Sequence, residues 1–214
     1  MVSHNLRAPL ANALGLANLL GTEESGSPHF QETHAHLQAN LQQLDQVLRD
    51  MNTILAVREQ RDWEAPEAVP LAEVVHQVVE GLHELLRQAG GTIDVQIPDN
   101  FRVHTNRSFL HSIFFNLLSN ALKYRADGRP LRVQVSATGN PDGAKFIEVA
   151  DNGSGFDQAG AGDNVFKLYQ RFHPRHAGRG VGLYLVKTHV EALGGRIAVH
   201  SRVDEGTRFS IFLP

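Results

Sequence analysis

The sequence predicts a chain in two parts, an all-α helical hairpin followed by an α+β sandwich with helices on one face of a mixed sheet. Three observations carry this. Between residues 28 and 60, Leu37, Leu41, Leu44, Leu48, Met51 and Leu55 recur in steps of four and three, the seam of a coiled coil. The seam stops at "RDWEAPEAVP", where two prolines close together mark a linker. Beyond it, helical stretches are interleaved with short strands, several of which follow one another as hairpins.

Taken in order, the first segment offers Leu6, Leu10, Ala13, Ala17 and Leu20 as a stripe that matches the later seam, and "GTEESGSP" between them is a turn rich in breakers. Two helices still leave an apolar face, so a second copy completing a four-helix bundle is expected, and with it a homodimer. The hairpin is assigned to residues 1–62, a linker to 63–70 and the second domain to 71–214. Helical periodicity in "LAEVVHQVVEGLHELLRQAGG" ends at a glycine pair. The alternating strands "TIDVQIP" and "FRVH" follow, then a long apolar helix to about Tyr124. Strands "LRVQVSAT" and "KFIEVAD", a glycine-rich stretch, the helix "VGLYLVKTHVEALGG" and strands "RIAVHS" and "TRFSIFLP" complete the chain.

Composition excludes several functions. A formal net charge of −3 gives no basic footprint for nucleic acid, and no nucleic-acid partner is expected. The absence of cysteine rules out disulfides and thiolate metal sites. Apolar runs such as "FLHSIFFNLL" are too short and too interrupted to span a bilayer, and no signal peptide opens the sequence. A cytoplasmic location is expected for these residues. The histidines at 34 and 36 diverge on their helix and "HPRH" is broken by proline, so neither makes a ligand set. Trp63, at the linker, reads as a packing residue.

Four stretches of the second domain carry chemistry. "NLLSNALKY" sets Asn116, Asn120 and Lys123 about a turn apart on one helix face; such a face suits a hydrated magnesium ion and phosphates, or simply solvent. "DNGSGFD" ends a strand with Asp151, whose carboxylate can accept a hydrogen bond from an exocyclic amine, while Gly153 and Gly155 let the backbone approach a flat ring. A hairpin or calcium-like turn is the other reading of that stretch. "GRGVGLYLVK" opens a helix with Gly178, Gly180 and Gly182, presenting bare amides to an anion. Neither GxGxxG after a first strand nor GxxxxGK[ST] occurs, which disfavours Rossmann and P-loop folds. "EGTRFSIFLP" is a turn entering the last strand.

In this order and spacing the chain resembles the sensor histidine kinases of two-component systems. "SHNLRAPL" looks like their H box, "NLLSNALKY" the N box, "DNGSGF" the G1 box, "GRGVGL" the G2 box and "EGTRF" the closing glycine-threonine turn. The resemblance spans essentially the whole chain. It implies a dimerisation and phosphotransfer hairpin followed by a Bergerat-type ATP-binding domain, with ATP and Mg2+ as cofactors and a response-regulator receiver as partner. His4 is then the phosphoacceptor. Asn120 is implied as magnesium ligand, Asn116 and Lys123 face the phosphates, Tyr124 lies over the nucleoside and Asp151 reads the adenine amine. The resemblance places Gly153 and Gly155 in the ATP site, with Gly178, Arg179, Gly180, Val181, Gly182 and Leu183 of the G2 box and Thr207 of the closing turn. Between Gly155 and Gly178 it implies a mobile ATP lid, anchored by Phe166, from which Arg171 reaches the terminal phosphate.

Two positions depart from the family pattern. The acidic residue usual directly after the phosphoacceptor is Asn5 here, which can fix the imidazole tautomer but cannot stabilise positive charge on the ring. Four residues after His4, where phosphatase-competent members carry threonine or asparagine, stands Ala8. These departures keep open a nucleotide-responsive dimeric interaction module with weak or no kinase activity, and a Bergerat ATPase unconnected with histidine transfer. His4 falls in the first turn of its helix, so an upstream helix and sensor domain are expected before Met1, with any membrane anchor there as well.

Overall fold

The structure, a computed structural model, describes residues 2–22, 27–59, 66–139, 143–170 and 180–214, without the side chains of residues 2–9, 43, 46, 47, 49–54, 56–59, 161 and 163. The chain divides into two compact units, Met1–Arg61 and Asp62–Pro214.

In the first unit, helix α1 (Val2–Leu20) packs against α2 (Pro28–Glu59). Ser27 starts α2 by accepting a hydrogen bond at its Oγ from the Phe30 amide, 3.0 Å. Ala13 and Thr33 are buried, whereas the seam residues Leu10, Leu41, Leu48 and Leu55 remain exposed in the single chain. One pair of helices therefore covers only part of its apolar stripe.

The second unit begins earlier than the sequence predicts. Glu67–Pro70, read as linker, form strand β1, which pairs antiparallel with β3 (Arg102–Thr105) so that Val69 faces Val103. Pro70 is tolerated because it ends the strand. The long helix expected after it is two helices, α3 (Leu71–Gly81) and α4 (His83–Gln88), broken at Gly81 and Leu82; glycine is a weak helix former at such a point. Strand β2 (Thr92–Gln96) follows, and β3 leads into α5 (Arg107–Lys123), whose cap Asn106 accepts from the Ser108 amide at 2.8 Å. Strands β4 (Arg132–Gly139) and β5 (Lys145–Asp151) form a hairpin. A short helix α6 (Gln158–Ala161) with a 3-10 turn, absent from the sequence reading, precedes α7 (Gly182–Ala192), β6 (Arg196–Arg202) and β7 (Gly206–Leu213).

The main sheet has the order β2-β4-β5-β7-β6, with only β2 and β4 parallel. Helices α3, α5 and α7 cover one face, and a single core joins Val74, Val78, Ile113, Phe114, Leu117, Val135, Ile147, Val149, Val186 and Ile211. This is a two-layer sandwich with helices on one face of a mixed sheet, as the order of helices and hairpin strands predicts. No helix among the described residues is long and apolar enough to cross a membrane.

Candidate functional site

Helix α5 buries Phe109, Leu110, Ile113, Phe114, Leu117, Leu118, Ala121 and Leu122 against the sheet. That leaves Asn116, Asn120 and Lys123, at helical spacing, half-buried along its flank. The Asn116 Nδ2 donates to the Ser112 carbonyl at 2.8 Å, which turns Oδ1 toward the start of α7: a Cβ on Gly182 would stand 2.6 Å from it. The helix ends at Tyr124, and the Lys123 Nζ donates to the Tyr124 phenol oxygen at 2.9 Å while lying 4.6 Å from the ring centroid. The two residues that the resemblance assigns to phosphates and to nucleoside are thus coupled to each other in this structure.

Asp151 closes β5 opposite Thr207 of β7. Its Oδ1 accepts from the Gly153 amide at 2.8 Å. Burial pushes the carboxyl above its ordinary range, and hydrogen bonds from the Gly153 and Thr207 amides pull weakly the other way. Gly153 is pressed against the end of α5, since a Cβ there would lie 2.6 Å from the Tyr124 carbonyl oxygen. Gly155 adopts φ +56°, and any side chain would overlap the Arg202 carbonyl. Three loops therefore meet backbone to backbone, and glycine is what lets them.

Gly180, at φ +70°, packs on the Gln170 backbone, and the Tyr169 amide donates to its carbonyl at 2.8 Å. Val181 is buried at the start of α7. Phe166 and Leu183 pack between the main core and a small cluster of Phe156 and Val165. Arg171, Gly178 and Arg179 lie outside the described residues, as do the side chains of His4 and Asn5, whose backbone belongs to α1 in the other unit. The structure thus brings together Asn116 with Gly182, and Asp151 and Gly153 with Tyr124 and Thr207.

Sequence reasoning missed the polar groups that support these loops. Ser201 accepts at its Oγ from the Phe156 amide at 3.0 Å, lies 3.1 Å from the Gly206 carbonyl oxygen and 2.9 Å from the Thr207 hydroxyl. Gln158 pairs with the edge strand β6, donating to the Val199 carbonyl at 2.8 Å and accepting from the Ser201 amide at 2.9 Å. A signal existed for Ser201: it occupies the inward parity of Ile197 and Val199, where alternation calls for an apolar residue.

Among the described residues no cluster of three or more His, Cys, Asp or Glu could hold a metal ion. The donors on α5 are carboxamides, which suits a magnesium ion that keeps waters and is carried largely by substrate phosphates, and the donor set fits that group. Residues 105–214 match the sequence family described as histidine kinase-, DNA gyrase B-, and HSP90-like ATPase. The chain belongs to that ATPase family. Over its whole length it is 31% identical to the methanogenesis regulatory histidine kinase FilI of Methanothrix harundinacea, covering 24% of that protein. It is 31% identical across 97% of its length to the sensor histidine kinase AruS of Pseudomonas aeruginosa, covering 21% of it. The chain thus spans about a quarter or less of these curated relatives. Its fold is that of the Acinetobacter baumannii histidine kinase AdeS, with TM-score 0.72, 20% identity and 98% and 96% of the two chains covered. The similarity of this ATPase-family chain to sensor histidine kinases includes the helix pair as well as the ATPase unit.

Proposed function

We propose that this chain is the catalytic core of a sensor histidine kinase, which phosphorylates His4 from ATP and passes the phosphoryl group to an aspartate of a response regulator. The observation that carries this reading is the meeting of the Asn116 carboxamide with the start of α7 at one part of α5, and of the Asp151 turn, through Gly153, with the Tyr124 end of the same helix. Asp151 receives the adenine amine. Gly153 and Gly155 let the turn after Asp151 close on the Tyr124 and Arg202 carbonyls and so shape the backbone of the adenine site; Tyr124 lies over the nucleoside, and Thr207 supports Asp151 from β7. Asn116 and Lys123 face the phosphates; the bare backbone around Gly178, Arg179, Gly180, Val181, Gly182 and Leu183 offers amides to them. Asn120 holds the magnesium ion, whose charge when bound offsets that of the phosphates. Phe166 anchors the segment from which Arg171 reaches the terminal phosphate.

A lone pair on one imidazole nitrogen of His4 forms the new P–N bond, the P–O bond to the β,γ-bridging oxygen breaks, and ADP leaves with that electron pair. The other ring nitrogen donates to the side-chain amide oxygen of Asn5, which fixes the tautomer, and the ring returns a proton to solvent. The exposed seam of α1 and α2 is covered by a second copy, giving a four-helix bundle in a homodimer. In this reading the unit works in the cytoplasm, downstream of a sensor domain.

Calorimetry with a magnesium-bound, non-hydrolysable ATP analogue tests the pocket: saturable binding that is weakened about tenfold or more in Asp151→Asn supports it, and no binding by the parent chain removes its basis. Asn5 and Ala8 favour a second reading, a nucleotide-responsive dimer with weak or no kinase activity. That reading expects ATP to bind without labelling His4; an ATPase unconnected with histidine transfer would release free phosphate with His4 dispensable.

A further inference from the structure

We propose that Arg129, in the turn between α5 and β4, is a positioning residue for adenine recognition, because its guanidinium fixes the peptide plane that orients Asp151. The inference rests on the reading of Asp151 as the group that receives the adenine amine. The Arg129 Nε donates to the Asn152 carbonyl oxygen at 2.8 Å. Its Nη2 donates to the carbonyls of Gly153, at 2.8 Å, and Asp204, at 2.5 Å. Three carbonyl oxygens from two loops, 23 to 75 residues away in sequence, converge on one cation.

The coupling to Asp151 is covalent in its central link. The Asn152 carbonyl and the Gly153 amide belong to one planar peptide unit. Arg129 holds the oxygen of that unit, and its N–H donates to the Asp151 Oδ1 at 2.8 Å. Glycine leaves the backbone at 153 free to rotate unless something outside holds it. The Asn152 side chain ties the same turn to the Arg129 loop, accepting from the Arg132 amide at 2.7 Å and donating to the Pro130 carbonyl at 3.0 Å. On the far side, the Ser154 amide and hydroxyl donate to the Tyr124 carbonyl at 2.8 and 2.9 Å. Arginine suits this place because its planar fork presents several donors at fixed angles; a lysine ammonium is a single point on a flexible stem.

The test compares ATP with inosine triphosphate, which carries a keto oxygen where adenine carries its amine. Affinities of the 214-residue chain for both, by calorimetry, give a discrimination ratio for the parent, Asp151→Asn, Arg129→Ala and Arg129→Lys. The parent is expected to prefer ATP. Arg129→Ala should narrow that preference about tenfold, the scale of one misplaced hydrogen bond to a charged group, and Arg129→Lys should fall between. A general loosening of the fold would weaken both nucleotides together and leave the ratio intact. That result, with Asp151→Asn still abolishing the ratio, overturns the inference and leaves the reading of Asp151 standing. A parent that does not discriminate overturns the reading of Asp151 and the inference with it. Should Arg129→Ala fail to fold, Arg129→Lys decides: a narrowed ratio supports the inference and an unchanged one refutes it.

Discussion

At the scale of single residues, two ionisable groups, half-buried Asp151 and buried His189, separate function from stability. Asp151 is a carboxylate in a site that disfavours its charge, so at neutral pH it costs the fold something that the Gly153 and Thr207 amides offset only in part. Asp151→Asn should leave the melting temperature of the nucleotide-free chain unchanged or raised while weakening ATP by about tenfold or more; calorimetry and thermal unfolding on one sample check both. His189 is different. Buried on α7 with its ring 4.7 Å from that of Phe109, it is held neutral, its pKa pushed down to about 4 by burial against a weaker pull from the Leu185 carbonyl. Between pH 6.5 and 4 the unfolded chain binds a proton there and the folded chain does not. The contribution is therefore intact above pH 6.5 and is lost as pH falls toward 4, on the order of 3 kcal/mol in all. His189→Leu should flatten the fall in denaturant-unfolding stability over that window. Residues of this kind differ in how well the sequence announces them. Asp151 is legible because it sits at a strand end before two glycines; Arg129 in "DGRP" reads as an ordinary surface turn, because the carbonyls it holds are brought to it only by the fold.

At the scale of elements, local pattern is sufficient where an element's burial follows from its own period. Strand β5 shows the alternation that buries Ile147 and Val149, and α5 carries its apolar face in steps of three and four. The sequence does not reveal β1, because Pro66 and Pro70 bracket it and its pairing with β3 is a tertiary fact. The break at Gly81 and Leu82 is equally hidden, since the apolar period runs on across it. The junction of α5 with α7 is tested by Gly182→Ala. Helix propensity alone would favour alanine by roughly 1 kcal/mol, yet the added methyl would stand 2.6 Å from the Asn116 Oδ1. The expected outcome is a folded chain, by circular dichroism, with nucleotide affinity reduced several-fold as Asn116 is displaced. Unchanged affinity would remove Asn116 from the phosphate site.

At the scale of the whole molecule, the proposed activity needs a dimer and a phosphate acceptor. Leucines 41, 48 and 55 are too exposed in the single chain for a finished helical unit. Leu44→Asp with Leu48→Asp should convert a dimer to monomers in sedimentation, because buried unpaired charges are strongly disfavoured, while ATP binding by the other unit persists. The central claim is that phosphate from ATP ends on His4, and one measurement reaches it directly. The chain is incubated with magnesium and γ-labelled ATP, beside His4→Gln, and the label on protein is followed through acid and base. Label on the parent that is lost in acid, survives base and is absent from His4→Gln is the predicted result; label that persists in His4→Gln, or appears only as free phosphate, would contradict the account.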